Sequence, residues 1–168
     1  HLSIRRQRQM CIRDRYMKVL FQKIYEDYLS KLQDYPEKDA KAAIQLQQIF
    51  YRMTKYFIEN FNTANFLTEA LYHSKAASYF TNYRVQHFIF VRTLIEQAQR
   101  EGDICSDMNS YEIYTTLQSI LIQPIIIKNN ILQQHKNEPL MDKLKLIDVS
   151  SESSLQKRLR VAFKGLRP

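Results

Sequence analysis

The sequence predicts an all-α chain, an antiparallel multi-helix bundle of about six helices, on three observations. Only two glycines and four prolines punctuate 168 residues, far fewer turn formers than the many tight reversals of an all-β protein require. Apolar residues recur at i, i+3, i+4 and i+7 over long stretches, the period of a helix that buries one face. A chain of this length buries roughly two thirds of its unfolded surface as one domain, so those faces share a single core.

The first periodic stretch is 17–34, where Met17, Leu20, Phe21, Ile24, Tyr25, Tyr28, Leu29 and Leu32 share a side. Pro36 can open the next helix, with Glu37 and Asp39 suited to its positive end, and Ala43, Leu46, Phe50, Met53, Phe57 and Phe61 carry one face of it to residue 61. Asn62 or Thr63 caps a short third helix to His73. The string SKAASYFTN then reads as a connection. A fourth helix over 83–101 turns Val85, Phe88, Ile89, Val91, Leu94, Ile95 and Ala98 inward and stops at Gly102.

Asn109 with Glu112 three residues later is a capping-box start for a fifth helix running to Gln134. Its segment Ile120–Ile127 has high β propensity, but Pro124 would remove a ladder bond from a central strand, so a proline-kinked helix is expected. A looser link over 135–149 follows. The serines at 150–154 then cap a last helix lined by Leu155, Leu159, Ala162, Phe163 and Leu166. Gly102 and Gly165 both stand where a left-handed C-cap is wanted.

The formal charge of +8 is unevenly spread. In residues 1–16 five arginines (5, 6, 8, 13 and 15) face only Asp14, which leaves +4 for that segment and +4 for the other 152 residues. The segment lacks a sustained apolar face, and its string MCIRDR resembles a translated sequencing-adapter read. Residues 1–16 are therefore expected to lie outside the fold, as a disordered or foreign basic tail, with a natural basic arm as the alternative. Residues 17–168 make the helical domain.

At residues 94–121 the string LIEQAQREGDICSDMNSYEIYTTLQSIL resembles the join between helices in the C-terminal domain of the TetR/AcrR family of transcriptional regulators. The closing LQKRLRVAFKGLRP is similar to that family's final helix, and YMKVLFQKIYEDYL to the first helix after its DNA-binding head. The likeness covers about residues 16–168. It implies an effector-sensing and dimerising domain in which a bound small molecule shifts a homodimer away from its DNA-binding arrangement. Members carry a three-helix head before this region; nothing of that kind precedes Tyr16, so DNA contact is expected only through a head missing from this chain.

The resemblance implies a pocket among the aromatic residues of the first four helices, for a hydrophobic or amphiphilic molecule. The candidate lining is Tyr25, Tyr28, Phe50, Met53, Phe57, Phe61, Phe66, Phe88 and Val91, with ordinary core packing as the competing reading of each. It further implies a four-helix seam between two copies, built from the last two helices. The residues assigned to that seam are Tyr114, Leu117, Gln118, Leu121, Ile122, Ile125, Leu155, Leu159, Ala162 and Phe163; a central helix of a monomer is the other option.

Other chemistries lack a pattern to carry them. His73, His87 and His135 offer no HxxxH or HExxH spacing, so no metal is expected. Cys105 has no nearby histidine in sequence and reads as a small apolar residue, while Glu26–Asp27 and Asp103/Asp107 read as solvated helix-end charges. With two cysteines and an apolar run far short of the roughly 20 residues of a membrane span, the expectation is a reduced, cytoplasmic, soluble protein with no cofactor and no catalytic residues. The alternatives to a sensing domain are a basic helical nucleic-acid or protein adaptor acting through residues 1–16, and a small helical enzyme, which lacks a constellation.

Overall fold

A computed structural model describes residues 2–33, 39–63, 65–66, 74–135, 142, 144 and 146–168. Its regular elements are helices: α1 (Leu2–Gln33), α2 (Ala42–Glu59), α3 (Ser74–Arg100), α4 (Ser110–Leu121), α5 (Gln123–Gln134) and α6 (Glu152–Gly165). The all-α expectation holds. Residues 61–63 and 65–66 are helical too, and the rest of the expected third helix, 67–73, lies outside the described residues.

α1 is continuous through the segment that was expected to be a tail. Its arginines, glutamines and leucines are good helix formers and no glycine or proline interrupts them, so the backbone stays helical. Packing starts later. Ile12 and Tyr16 are 69% and 68% exposed, and the first buried side chain among those described is Phe21.

α2 begins at Ala42, after non-helical residues 39–41, and Pro36, where a start was expected, lies outside the described residues. Lys41 supplies no side-chain cap. The Glu101 carboxylate, 59 residues away, accepts from the Ala42 amide at 3.1 Å and satisfies one of the orphan donors of the first turn. α3 begins at Ser74, so SKAASYFTN is helix and not connection; the stretch lacks glycine and proline, and nothing in it stops a helix. Its inward face also differs from expectation. Val85 and Ile89 are about half exposed, while His87, Val91, Leu94, Ile95 and Ala98 are buried.

The expected kinked helix is divided in two at Ile122. Pro124 occupies the first turn of α5, where a missing amide hydrogen costs nothing. The break frees the Leu121 carbonyl, because Ile125 donates to Ile122 at 3.1 Å instead. Arg158 of α6 donates to the Leu121 and Val149 carbonyls, and so joins the end of α4 to the last connection. The capping box stands as expected: the Asn109 side chain accepts from the Tyr111 and Glu112 amides at 3.0 and 2.9 Å, and Glu112 accepts from the Asn109 amide at 2.8 Å. Ser151 caps α6 by accepting from the Ser154 amide.

Gly102 has φ +75° and ends α3. Asp103 donates back to Ala98 at 3.0 Å, and Gln99 ties the turn by donating to the Cys105 and Met108 carbonyls. Gly165 is the last residue of α6 and has no positive φ, so its expected left-handed cap is not there. The end of α6 is held by the Cys105 amide, which donates to the Leu166 carbonyl at 2.7 Å.

α2 is the central element, in contact with α1, α3, α4 and α6; α4 packs in turn on α3, α5 and α6. Leu46, Ile49 and Phe50 of α2, Ile95 of α3, Ile113, Leu117 and Leu121 of α4 and Leu155 and Leu159 of α6 fill one core. Each such side chain contributes about 1.5–3 kcal/mol by leaving water. Among the described residues, no helix is long and apolar enough to cross a membrane.

Candidate functional site

Aromatic side chains from α1 to α4 meet around one histidine. Tyr28 of α1 is the first hub. Its ring centroid lies 5.6 Å from Tyr25, 5.1 Å from Tyr56, 6.4 Å from Phe57 and 6.0 Å from His87. Tyr114 of α4 is the second, 6.1 Å from Phe50, 5.3 Å from Phe88 and 6.1 Å from His87. The edge and tilted ring geometries are those that the ring quadrupoles favour. His87 joins the two groups because residues 87, 91, 94 and 98 form one helical line on α3, and that line is the buried one.

His87 is 6% exposed, and burial pulls its pKa from 6.5 down to about 4, so the ring is neutral at pH 7. Its Nδ1 stands 3.4 Å from the Tyr114 hydroxyl, which accepts from Gln118 Nε2 at 2.8 Å. Which of the two groups donates depends on the histidine tautomer, and the neutral ring carries its one hydrogen on Nδ1 or on Nε2. Among the described residues the buried Nε2 has no hydrogen-bond partner. An unsatisfied buried polar nitrogen costs about 1–3 kcal/mol, which a molecule offering it a hydrogen-bond partner would remove.

Of the nine residues assigned to a pocket, Tyr25, Tyr28, Phe50, Phe57 and Phe88 fall in this ring network. Met53 and Val91 are buried in the same core. Phe66 stands apart, stacked on Phe21 at 4.9 Å, and Phe61 is half-buried just beyond α2. Sequence reading missed His87, Tyr56 and the polar work of Gln118. The signal for His87 was its place four residues before Val91 on the apolar line. Tyr56 also carries a polar contact, donating to Asp27 at 3.3 Å; burial and that carboxylate push its pKa up to about 12.

The residues assigned to a seam between copies are placed differently from expectation. Leu117, Leu121, Ile122, Ile125, Leu155, Leu159 and Ala162 are at most 4% exposed within one chain. They are core, because α4 and α6 turn these faces toward each other and toward α2. Tyr114 and Gln118 belong to the histidine cluster, and only the half-buried Phe163 reaches the surface at a groove. The outward apolar residues of α4, α5 and α6 are Tyr111, Ile127 and Val161, at 54–63% exposure.

The other reactive residues fall outside the cluster. His135 is exposed, Cys105 is partly exposed and hydrogen-bonded near Asp107, and His73 lies outside the described residues. Two grooves lined by described residues, of about 730 and 610 Å³, lie between α2 and α6 and not at His87. Among known proteins, no family model, no curated protein and no solved structure matches this chain.

Proposed function

We propose that the chain is the effector-sensing and dimerising domain of a TetR-type transcriptional repressor, whose DNA-reading head is not among these residues. The observation that carries the reading is the buried His87, whose Nε2 has no partner among the described residues, inside a shell of Tyr28, Tyr114 and Phe88. A stable core normally satisfies or excludes such a nitrogen. A small, largely apolar molecule with one hydrogen-bonding atom would enter among α1–α4, hydrogen-bond to Nε2 and pack on the rings. α1 touches both α2 and α3, so prising those helices apart would move α1, the helix nearest a preceding head. The effector shifts the equilibrium only as far as it binds the DNA-incompetent arrangement more tightly.

The reading keeps two copies as the working unit, but not through the core faces of α4 and α6. Its test is a thermal-shift series with neutral aromatic compounds that each carry a carbonyl or ether oxygen, run on the wild-type chain and on His87→Phe. Stabilisation by at least one compound, lost in the variant, is the expected result. Equal responses from both proteins would remove His87 from the site.

A second reading is favoured by one observation: α1 continues as helix through the arginine-rich residues 2–16, and no described side chain before Phe21 is buried. Such an arm suits a nucleic-acid adaptor. Deleting residues 1–16 separates the two, since an adaptor would lose salt-sensitive binding to duplex DNA while a sensing domain would keep its fold and ligand response.

A further inference from the structure

The two grooves between α2 and α6 share Gln47, Phe163 and Arg167, and so form one trough. Its α6 wall carries Lys157, Arg160 and Lys164, and Arg167 follows two residues past the end of the helix. The spacing of three and four residues keeps the first three on one line of the helix, about 10 Å from end to end. All four side chains are exposed, none has an ion-pair partner among the described residues, and no carboxylate lines that part of the trough. The nearest acid on α6, Glu152, is engaged by the Tyr51 hydroxyl and by Gln156. Farther along, Lys41 pairs with Asp103 at 3.2 Å.

The floor is apolar. Phe163 contributes to both grooves, and Ala43 and the 44% exposed Ile44 extend it along α2. Four unpaired cations beside an apolar floor select a partner with both characters. Phosphates of a nucleic acid would use the cations and leave Phe163 and Ile44 without a counterpart. A second copy of this face would bring the two basic rows together at a cost in like-charge repulsion. An amphipathic helix with an acidic flank satisfies both features: its apolar anchors at i, i+3 and i+7 would lie on Phe163 and Ile44, and its carboxylates would meet the cations. The trough is the gap between two packed helices, the seat into which a third packs by ridges and grooves.

We infer that the α2–α6 trough is a docking site for an acidic amphipathic helix of a partner protein. The inference stands on Lys157, Arg160, Lys164, Arg167 and Phe163, and is independent of the effector reading. It is tested on the full chain by fluorescence anisotropy with a labelled synthetic helix that has leucines on one face and glutamates flanking them. The controls are a peptide of the same composition without a face, a short DNA duplex and vesicles containing phosphatidylserine.

Binding of the amphipathic peptide, weakened at least about tenfold in R160E/K164E but not in the equally charge-changing K18E/K23E, is the expected outcome. Amide NMR shifts on adding the peptide should centre on Gln47, Ile44 and Phe163. Because all four substituted side chains are exposed, an unchanged circular dichroism melt accompanies that result. Equal binding of the scrambled peptide, indifference to R160E/K164E, or tighter trough-dependent binding of the duplex or vesicles would each overturn the inference.

Discussion

The hydroxyl of Tyr114 stands 3.4 Å from Nδ1 of His87 and links α4 to α3 inside a shell of rings. Burial holds the histidine neutral, with its pKa lowered from 6.5 to about 4. The unfolded chain therefore takes up a proton below pH 6.5 that the folded chain refuses. Stability contributed this way is present above pH 6.5 and lost as pH falls toward 4, by on the order of 3 kcal/mol. Thermal unfolding across this range should show the loss, and His87→Phe should flatten it. A wild-type midpoint that does not move between pH 7 and 4 would contradict the buried neutral ring.

Tyr114→Phe removes the hydroxyl that accepts from Gln118 and faces His87 Nδ1, while keeping the ring. Urea unfolding should show a cost of about 1–2 kcal/mol.

Arg158 holds the Leu121 carbonyl that the break at Pro124 releases. Arg158→Ala leaves that carbonyl and the Val149 carbonyl unsatisfied, at a cost of about 1–3 kcal/mol by chemical denaturation. Arg158→Lys should recover only part of the loss, since one ammonium cannot reproduce the two-armed guanidinium. Full recovery by lysine would show that charge, and not geometry, holds α6 to α4.

The two glycines should respond in opposite directions. At Gly102, φ +75° is unfavourable for any side chain, and Gly102→Ala should cost about 1–2 kcal/mol although no atom lies within 4 Å of the added carbon. Gly165 lies at the end of α6 with similar open space and no positive φ, so Gly165→Ala should stabilise by up to about 1 kcal/mol. Equilibrium unfolding of both variants decides it.

Glu101→Ala removes the carboxylate that meets the Ala42 amide and should cost about 1 kcal/mol, while Glu101→Gln keeps an oxygen acceptor and should cost less. Differential scanning calorimetry of the pair is the check.

Periodicity made the helices legible, and local hydrogen-bond chemistry made some of their ends legible: Asn109 with Glu112 and Ser151 cap where their side chains predict. The ends set by distant partners were not readable. α2 starts where Glu101 can reach it, and the gap after Leu121 is filled by Arg158, both contacts between residues far apart in sequence. The aromatic set was readable as apolar faces, but His87 was passed over because an isolated histidine carries no spacing signature. The apolar lines of α4 and α6 are buried within one chain; in sequence, a line of that kind does not say whether the covering surface belongs to the same chain or to another.

Native mass spectrometry of the intact chain beside His87→Phe tests the sensing account most directly. The account predicts a two-copy species that keeps an added neutral aromatic ligand in the wild type and releases it in the variant. A ligand-free single copy at micromolar concentration, the same for both proteins, would contradict it.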